Sequence, residues 1–338
     1  MHNLDILLLV VGTACFIIST LGTRLALKIL LKTNIMDIPS ERSNHKQPVP
    51  RGGGAAIVDT IILGIIFSSI FIVGDFSSIW PILAALFLLS VVSFFDDIKG
   101  LSPAPRFLVQ IISVAIGTFA LQKSSGLLFG GFFPPLIDAI IVGFIWLWFL
   151  NLYNFMDGID GLTASQTVCI CVGIFLVSLF SGKADQTFFF YPVIIAASAI
   201  GFLSLNWHPA KIFMGDVGSV SLGFLLGWLL LKLAISGHYI ESLIIPGYYL
   251  LDSGITISKR AFNHEKIWLP HSKHYYQQAV RNGKTHNHVV ELIICCNIVL
   301  VLLAIFVSVL PGNSLFYVIA AIGSVAILLN YFKLPAVK

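Results

Sequence analysis

Asn151-Leu-Tyr-Asn154-Phe-Met-Asp157-Gly-Ile-Asp160-Gly-Leu162 is the stretch that decides how this chain folds and what it does. It lies between two apolar runs, 139–150 and 168–180, and its two carboxylates stand three residues apart, each followed by glycine. Ionisable groups at the edge of a membrane helix are costly unless they face water, a partner or a cation. Oxygen ligands of this kind favour a hard divalent cation such as magnesium. The stretch therefore predicts a functional site where one membrane helix ends and the next begins.

The composition excludes an ordinary soluble protein. Of the 338 residues, 57% are hydrophobic and 11% are charged, whereas soluble domains carry about 25% charged residues. We predict one integral-membrane domain over 1–338, all-α and polytopic, with about eleven transmembrane helices of about 20 residues each. The least regular of them are the short run 78–95 and the run 241–259, which Pro246 interrupts. The apolar runs are 4–31, 53–73, 78–95, 106–122, 132–153, 162–181, 187–205, 218–236, 241–259, 288–310 and 315–333.

Basic residues are distributed unequally between the loops on the two sides. If the loops alternate, nearly all their lysines and arginines fall on one side, and the other side keeps only Lys123 and Lys183. The positive-inside rule makes the basic side cytoplasmic, with the N-terminus periplasmic and the C-terminus cytoplasmic. Almost every other polar residue of interest falls on the same side, so we predict an active site on the cytoplasmic face.

We call the loops on the predicted cytoplasmic side the inner loops, and the first of them combines cations with a glycine triplet. Lys46 and Arg51 precede Gly52-Gly-Gly54. Glycines let the backbone approach a ligand closely, and the N-terminus of the following helix attracts phosphate. A phosphate-binding segment is one interpretation, and a positive-inside anchor with a Pro/Gly turn is the other.

Aspartates end or begin several of the apolar runs. Asp96 and Asp97 directly follow one run, although the partial negative charge of a helix C-terminus disfavours carboxylates there. The pair thus indicates a compensating cation, and Lys99 can pair with it or bind phosphate. Asp216 lies between glycines at a helix start, where an ordinary N-cap is the alternative. Asn151, Asn154, Asp157 and Asp160 recur every three residues and share one face if the helix continues.

The last inner loop, 260–287, is long and basic. His271 and His274 permit metal ligation, contact with an anion or nucleotide, or a plain solvated role. Asp252 lies in the interrupted run that precedes this loop, and Arg260 directly follows that run.

Aspartates that converge from separate loops would repel one another. Two unit charges about 4 Å apart cost about 4 kcal/mol at an effective dielectric of 20, and magnesium would offset that repulsion. Acidic ligands, cations and an opening to lipid together indicate phosphoryl transfer to or from a membrane-embedded phosphate. An ion-coupled transporter of an anionic substrate is the alternative, but it would place its charges near the middle of discontinuous helices.

Four inner-loop motifs resemble those of the polyprenyl-phosphate N-acetylhexosamine-1-phosphate transferase superfamily (glycosyltransferase family 4). This resemblance implies transfer of a sugar 1-phosphate from a UDP-sugar to undecaprenyl phosphate in the bacterial inner membrane. It further implies release of UMP and dependence on magnesium, with manganese as an alternative ion. The motifs are Asp37…Arg42…His45…Pro48-Val-Pro50-Arg51-Gly-Gly-Gly54, Phe94-Phe-Asp96-Asp97, Asn151…Asn154…Asp157-Gly-Ile-Asp160-Gly-Leu162 and Met214-Gly-Asp216-Val-Gly-Ser219.

The resemblance also implies roles for individual residues. Metal binding falls to Asp216 and Asp97. The implied catalytic residues are Asp96, Asp97, Lys99, Asp157 and Asp160. The implied substrate-binding residues are Lys46, Arg51, Asn151, Asn154, His271 and His274.

The last loop departs from the members that make the first lipid intermediate of peptidoglycan, which carry consecutive histidines. Its Pro270-His271-Ser-Lys-His274-Tyr-Tyr-Gln277 is more similar to members that initiate O-antigen or other surface polysaccharides. UDP-GlcNAc and a UDP-linked N-acetylated deoxyhexosamine are the candidate donors, with a slight preference for the latter. We expect no nucleic-acid partner, and a homodimer is compatible with the sequence. Direct attack by the lipid phosphate is the expected mechanism, and an aspartyl-phosphate intermediate is the alternative.

Overall fold

The computed structural model describes residues 2–39, 47–182, 185–266 and 271–336, and these residues are predominantly helical. This confirms the prediction of an all-α polytopic membrane protein. The only strands in the described residues are β1 (Met36–Asp37) and β2 (Val49–Pro50), which pair antiparallel. The helices are α1 (His2–Thr33), α2 (Gly54–Ser68, extended by a π-helical turn Ser69–Val73), α3 (Trp80–Lys99), α4 (Pro103–Ser125), α5 (Pro135–Phe155), α6 (Leu162–Phe180), α7 (Thr187–Asn206), α8 (Asp216–Ile235), α9 (Tyr239–Ile244), α10 (Gly247–Phe262), α11 (Tyr275–Arg281), α12 (His286–Val309) and α13 (Ser314–Lys333), with a 3₁₀ turn at Pro311–Asn313.

Ten helices in the described part of the chain are long and apolar enough to cross a membrane. The short run predicted at 78–95 is α3, which continues to Lys99. Asp96 and Asp97 therefore belong to the last turn of a helix, whereas the predicted run 78–95 left them in the following loop. In the same way α5 continues to Phe155 and carries Asn151 and Asn154 on its last turns.

Proline and glycine set several of the helix ends. Pro103 and Pro135 lie in the first turns of α4 and α5, where a missing N–H leaves no helical hydrogen bond unmade. Gly100 ends α3 in the left-handed conformation, with φ of 64°, and its N–H donates to the carbonyl of Asp96 at 2.8 Å. These prolines and glycines set where the helices begin and end, and therefore where the polar segments between them lie.

The run 241–259 forms two short helices, α9 and α10, because Pro246 has no N–H to continue a helical ladder. In α9, Glu241 accepts a hydrogen bond from the Ser308 hydroxyl at 2.8 Å, near the end of α12. In α10, Asp252 accepts the backbone N–H of Tyr275, just before α12 begins. The two short helices together thus run from one end of the bundle to the other.

One end of the bundle gathers the inner loops. The N–H of Arg51 donates to the carbonyl of Ile35 at 3.3 Å, and that of Phe213 donates to Pro50 at 2.8 Å. Gly161 donates to the side chain of Asn206 at 3.0 Å. The end of α13 joins them through Asn282, whose amide donates to the carbonyl of Lys333 at 3.0 Å. Chain segments more than 150 residues apart in sequence therefore meet at this end.

Helix α8 is the centre of the bundle, enclosed on nearly all sides and packed against α2, α3 and α5. Its N-terminus lies directly against that of α2. The N–H of Gly54 donates to the carbonyl of Met214 at 2.8 Å, and the N–H of Gly53 donates to that of Phe213 at 2.9 Å. Any Cβ on Gly54 would overlap the Cα of Gly218, so the absence of a side chain permits this approach.

We expect Gly54→Ala to destabilise the protein, because neither backbone can yield without moving a helix. Overpacking of this kind costs about 1–3 kcal/mol. Gly254→Ala on α10 is the matched control, since a Cβ there meets no heavy atom within 4 Å. Melting temperatures of the two purified variants in one detergent check the expectation, and equal values would contradict the close α2–α8 contact.

Candidate active site

Asp216 is the first residue of α8, and side chains from several other segments converge on it. Its Oδ1 accepts a hydrogen bond from Arg51 Nη2 at 2.8 Å, and its Oδ2 accepts one from Arg106 Nη1 at 3.2 Å. Its side chain is 17% exposed. Two guanidinium groups from separate segments, one in the loop before α2 and one on α4, thus hold one carboxylate at the centre of the bundle end.

Asp97 caps the N-terminus of α8 from another helix. Its Oδ1 accepts the N–H of Asp216 at 2.9 Å, and its Oδ2 accepts the N–H of Val217 at 3.0 Å. Arg51 Nε lies 2.9 Å from Oδ1, and the side chain is only 1% exposed. A carboxylate at a helix N-terminus satisfies free N–H groups and interacts favourably with the helix dipole. Both oxygens of Asp97 are therefore engaged in holding α8 in place.

Asp96 holds the turn that follows α3. Its Oδ1 accepts the N–H of Leu101 at 2.7 Å, and its Oδ2 pairs with the guanidinium of Arg106. Since the same guanidinium binds Asp216, Arg106 connects the two carboxylates.

The two asparagines of the central stretch have different surroundings. Asn154 donates to the hydroxyl of Ser219 at 2.8 Å and reaches Asp216 Oδ1 at 3.4 Å. Asn151 donates to the side chain of Gln110 at 2.9 Å, on the α4 side. One turn of α5 therefore separates a residue of the Asp216 cluster from a residue that faces α4.

A polar cavity of about 240 Å³ opens beside Asp216. Asp157 and Asp160 lie on its wall with Asp216, so the structure brings these three predicted carboxylates to one space. Burial, and then the charge of Asp216, raise the pKa of Asp157 to about 6. The lining residues are Asp37, Arg51, Asn154, Asp157, Gly158, Ile159, Asp160, Asn206, Phe213, Met214, Gly215, Asp216, Gln277 and His286.

Asp160 is bound by histidines from two other loops. His208 Nδ1 lies 2.6 Å from Asp160 Oδ2, and His286 Nδ1 lies 3.5 Å from the same oxygen. The N–H of Ala210 also donates to that oxygen, at 3.1 Å. Burial alone would raise the pKa of Asp160, but the hydrogen bonds from His286 and His208 outweigh it and hold the pKa below its usual range.

A second, apolar groove of about 790 Å³ runs along α3, α4 and α5. Arg106 and Asn151 lie in it, and it shares Asn154 and Asp216 with the polar cavity. Asp216 is therefore reached from both spaces. The lining residues are Leu89, Val92, Ser93, Pro103, Ala104, Arg106, Phe107, Val109, Gln110, Phe144, Leu147, Trp148, Asn151, Asn154, Phe155, Asp216, Val220 and Ile257.

Other predicted residues do not lie among the side chains that surround Asp216. Lys99 is exposed, with its ammonium 5.7 Å from the centre of the Phe95 ring. His274 is buried, and its Nδ1 lies 3.3 Å from Asp252 Oδ1. The His271 ring lies 4.7 Å from the His274 ring. Lys46 lies outside the described residues.

His271 does not provide positive charge for an anionic ligand at neutral pH. Burial, and then the neighbouring His274 and Arg260, lower its pKa to about 4. The role of this loop in the structure is to dock α11: Asp252 accepts the N–H groups of Tyr275 and Tyr276 at 3.0 and 3.2 Å. Gln277, the next residue of α11, lies on the wall of the polar cavity.

Sequence reasoning missed several residues of the polar cavity. Phe213, Gln277 and His286 line it, and His208 binds Asp160 beside it. Phe213 directly precedes the Met214-Gly-Asp216 motif, which is a usable signal. The two histidines are 78 positions apart in sequence, so spacing gave no reason to pair them.

The residues present fit a magnesium ion. Asp157, Asp216 and Asn154 line one cavity and offer only oxygen donors in the ionised or amide form, as magnesium prefers. Burial is the main cause of the raised pKa of Asp157, and the charge of Asp216 adds to it, so a divalent cation between the two carboxylates would favour their ionised forms.

Fold and site together define a polytopic membrane protein in which helix ends and loops at one end of the bundle build an acidic, arginine-rich centre between a polar cavity and an apolar groove. Residues 79–234 match the model of glycosyl transferase family 4. The chain belongs to this family, within the polyprenyl-phosphate N-acetylhexosamine-1-phosphate transferase superfamily, as the motif resemblance predicted.

Three relatives illustrate the likeness. A "Probable undecaprenyl-phosphate N-acetylglucosaminyl 1-phosphate transferase" of Bacillus subtilis (strain 168) is 31% identical over 288 residues, covering 80% of this chain and 78% of the relative. A decaprenyl-phosphate N-acetylglucosaminephosphotransferase of Mycolicibacterium smegmatis is 30% identical, covering 65% of this chain and 58% of the relative. A phospho-N-acetylmuramoyl-pentapeptide-transferase of Streptococcus gordonii is 29% identical, covering 71% and 76%.

Proposed function

We propose that this protein transfers an N-acetylhexosamine 1-phosphate from a UDP-sugar to undecaprenyl phosphate and releases UMP. The observation that carries the proposal is that a polar cavity and an apolar groove meet at Asp216 and Asn154. A water-soluble donor and a lipid-anchored acceptor need this arrangement, because their phosphates must meet although their other ends require opposite surroundings. The names of the relatives support the same reaction class.

The UDP-sugar binds in the polar cavity. Arg51 lies on its wall and holds a carboxylate there, so the same guanidinium is placed to bind the pyrophosphate. Magnesium, or manganese in its place, would be held by Asp216 and Asp157, and when bound it neutralises charge on the pyrophosphate. In this proposal Asp97 positions α8 and Asp216, and Asp216 and Asp157 are the residues that would hold the metal.

Undecaprenyl phosphate binds in the apolar groove, with its phosphate at Arg106. That guanidinium extends from the groove to Asp216. The second pKa of a phosphate monoester is near 6, so the attacking oxygen is already deprotonated at neutral pH. It forms a bond to the sugar-bearing phosphorus, the bond from that phosphorus to the bridging oxygen breaks, and the electron pair leaves with UMP.

Direct attack is the mechanism we propose. An aspartyl-phosphate intermediate would need a carboxylate oxygen free to attack, and both oxygens of Asp97 accept hydrogen bonds from the backbone of α8. Lys99 lies away from the proposed reaction centre. Asp160 lies on the wall of the cavity that binds the UDP-sugar donor.

The protein crosses the bacterial inner membrane eleven times in this proposal, with α9 and α10 together as one crossing. The basic residues Lys259, Lys273, Arg281 and Lys333 lie at the end of the bundle that holds the site, which supports a cytoplasmic site and C-terminus. Initiation of O-antigen or another surface polysaccharide remains our preferred pathway on the last-loop sequence, with an N-acetylated deoxyhexosamine as the preferred sugar.

The test is a reaction of purified protein in detergent with undecaprenyl phosphate, magnesium and a panel of UDP-sugars. We expect UMP release together with a lipid-linked sugar phosphate for at least one N-acetylated donor. Failure of every donor, or UMP release that does not require the lipid, would overturn the proposal. The transporter alternative instead requires uptake into sealed vesicles and no chemical change of the substrate.

The rate is expected to fall as the pH drops through about 6. Asp157, with its pKa raised to about 6, is protonated below that pH and no longer offers an ionised ligand. Because a metal ion and a proton compete for the same carboxylate, a higher magnesium concentration should move the midpoint to lower pH. Initial rates on both sides of pH 6 at several magnesium concentrations check this, and a midpoint that stays fixed would contradict it.

A further inference from the structure

Three side chains from three separate loops converge beside the polar cavity, on Asp160 Oδ2. Asp160 follows α5, His208 follows α7, and His286 begins α12. One ligand atom from each lies within 4.8 Å of the other two. Asp160 and His286 are buried, while the His208 side chain is 38% exposed and opens the cluster to solvent.

The cluster places one nitrogen of each imidazole beside Asp160 Oδ2, where a bound metal ion would replace the proton of the hydrogen bond. His286 Nδ1 lies 3.4 Å from the backbone nitrogen of Asp160 and 3.5 Å from Asp160 Oδ2. Asp160 is held in the ionised form by its surroundings. An ionised carboxylate and neutral imidazoles are the forms that bind metal.

The distances are close to those that a small metal ion requires. Asp160 Oδ2 lies 2.6 Å from His208 Nδ1 and 3.5 Å from His286 Nδ1, and the two imidazole rings are 4.7 Å apart. Bonds of about 2.0–2.2 Å from zinc to nitrogen and oxygen place neighbouring ligand atoms roughly 3–3.5 Å apart. His286 Nδ1 is already at that spacing from Asp160 Oδ2, and a shift of less than 1 Å by the exposed His208 brings its Nδ1 to the same spacing from that oxygen.

We propose that Asp160, His208 and His286 form a transition-metal site, suited to zinc and separate from the Asp216 centre. Two imidazoles and one carboxylate form a donor set of catalytic zinc sites, whereas magnesium prefers oxygen ligands alone. Three protein ligands leave a fourth position open. Because Asp160 and His286 also line the polar cavity, that position faces the cavity and suits an anionic oxygen of a ligand.

Calorimetric titration of zinc into the metal-stripped, full-length protein in detergent tests the site. We expect one zinc ion per chain, and at least about 10-fold weaker binding in both His208→Gln and His286→Gln. His271→Gln is the matched control, because it removes another histidine at the same end of the bundle without touching the cluster. Asp216→Asn should keep the zinc affinity, since that centre is separate.

Binding is measured without substrates, so its outcome is independent of the transferase proposal. Gel filtration and melting curves establish that each variant is folded. If His286→Gln fails to fold, His208→Gln decides the question, because that side chain is the exposed one. No zinc binding, unchanged affinity in the folded histidine variants, or a loss confined to Asp216→Asn would overturn the site.

Discussion

Replacing Asp216 with asparagine should lower turnover about 100- to 1,000-fold, the usual cost of removing one electrostatic group from a transition state. This carboxylate is the point where the polar cavity and the apolar groove meet, and it holds both Arg51 and Arg106. Asparagine keeps the shape of the side chain but removes the charge that orients the two guanidiniums and would bind the metal. UMP release by purified protein measures the effect.

Asp75→Asn is the control for this variant, because Asp75 lies in an exposed loop at the opposite end of the bundle. It should retain activity close to that of the unmodified protein. Losing the ion pairs of Asp216 is offset by relief of its repulsion with Asp97 and Asp157, so the replacement should change the melting temperature little. An Asp216→Asn protein within threefold of normal activity would remove this residue from the reaction centre.

Replacing Asp97 with asparagine should lower both activity and stability. Hydrogen bonds to a buried charged group contribute about 1.5–3 kcal/mol each, and Asp97 accepts two from the start of α8 and pairs with Arg51. The new amide group would point an N–H at another N–H. Displacing Asp216 by about 1 Å is enough to cost about 100-fold in rate.

The two variants are therefore distinguished by stability. Melting curves in one detergent should show a clear loss for Asp97→Asn and little change for Asp216→Asn, while both lose activity. If Asp97→Asn were as stable as the unmodified protein but inactive, Asp97 would act in the chemistry itself and not through the cap of α8.

Apolar run lengths were sufficient to predict an all-α membrane bundle, and the loop motifs predicted carboxylates that the structure brings together at one end of it. The roles of adjacent residues were not predictable. Asp96 and Asp97 differ by 100° around α3, and which of them caps α8 depends on a helix that begins 119 residues later in sequence. A pattern of charges at helix ends reports that carboxylates gather, but not which of them faces the cavity.

The last loop shows the same limit. His271 and His274 were chosen for their residue type, yet His274 is buried against Asp252. Gln277, which does reach the cavity, carries no charge and belongs to no spacing pattern. His208 and His286 are joined only by the packing of α7 and α12 around α6, and this packing cannot be read from one sequence.

The groove beside Arg106 makes the enzyme we propose sensitive to two different measures of concentration. A donor that enters from water is counted per volume, whereas an acceptor that slides in sideways from the bilayer is counted per lipid molecule around it. Diluting the membrane with inert phospholipid would then lower the rate, because less acceptor is present per lipid molecule even when the total amount of acceptor in the sample is unchanged. Growth of the membrane itself would have the same effect on the rate.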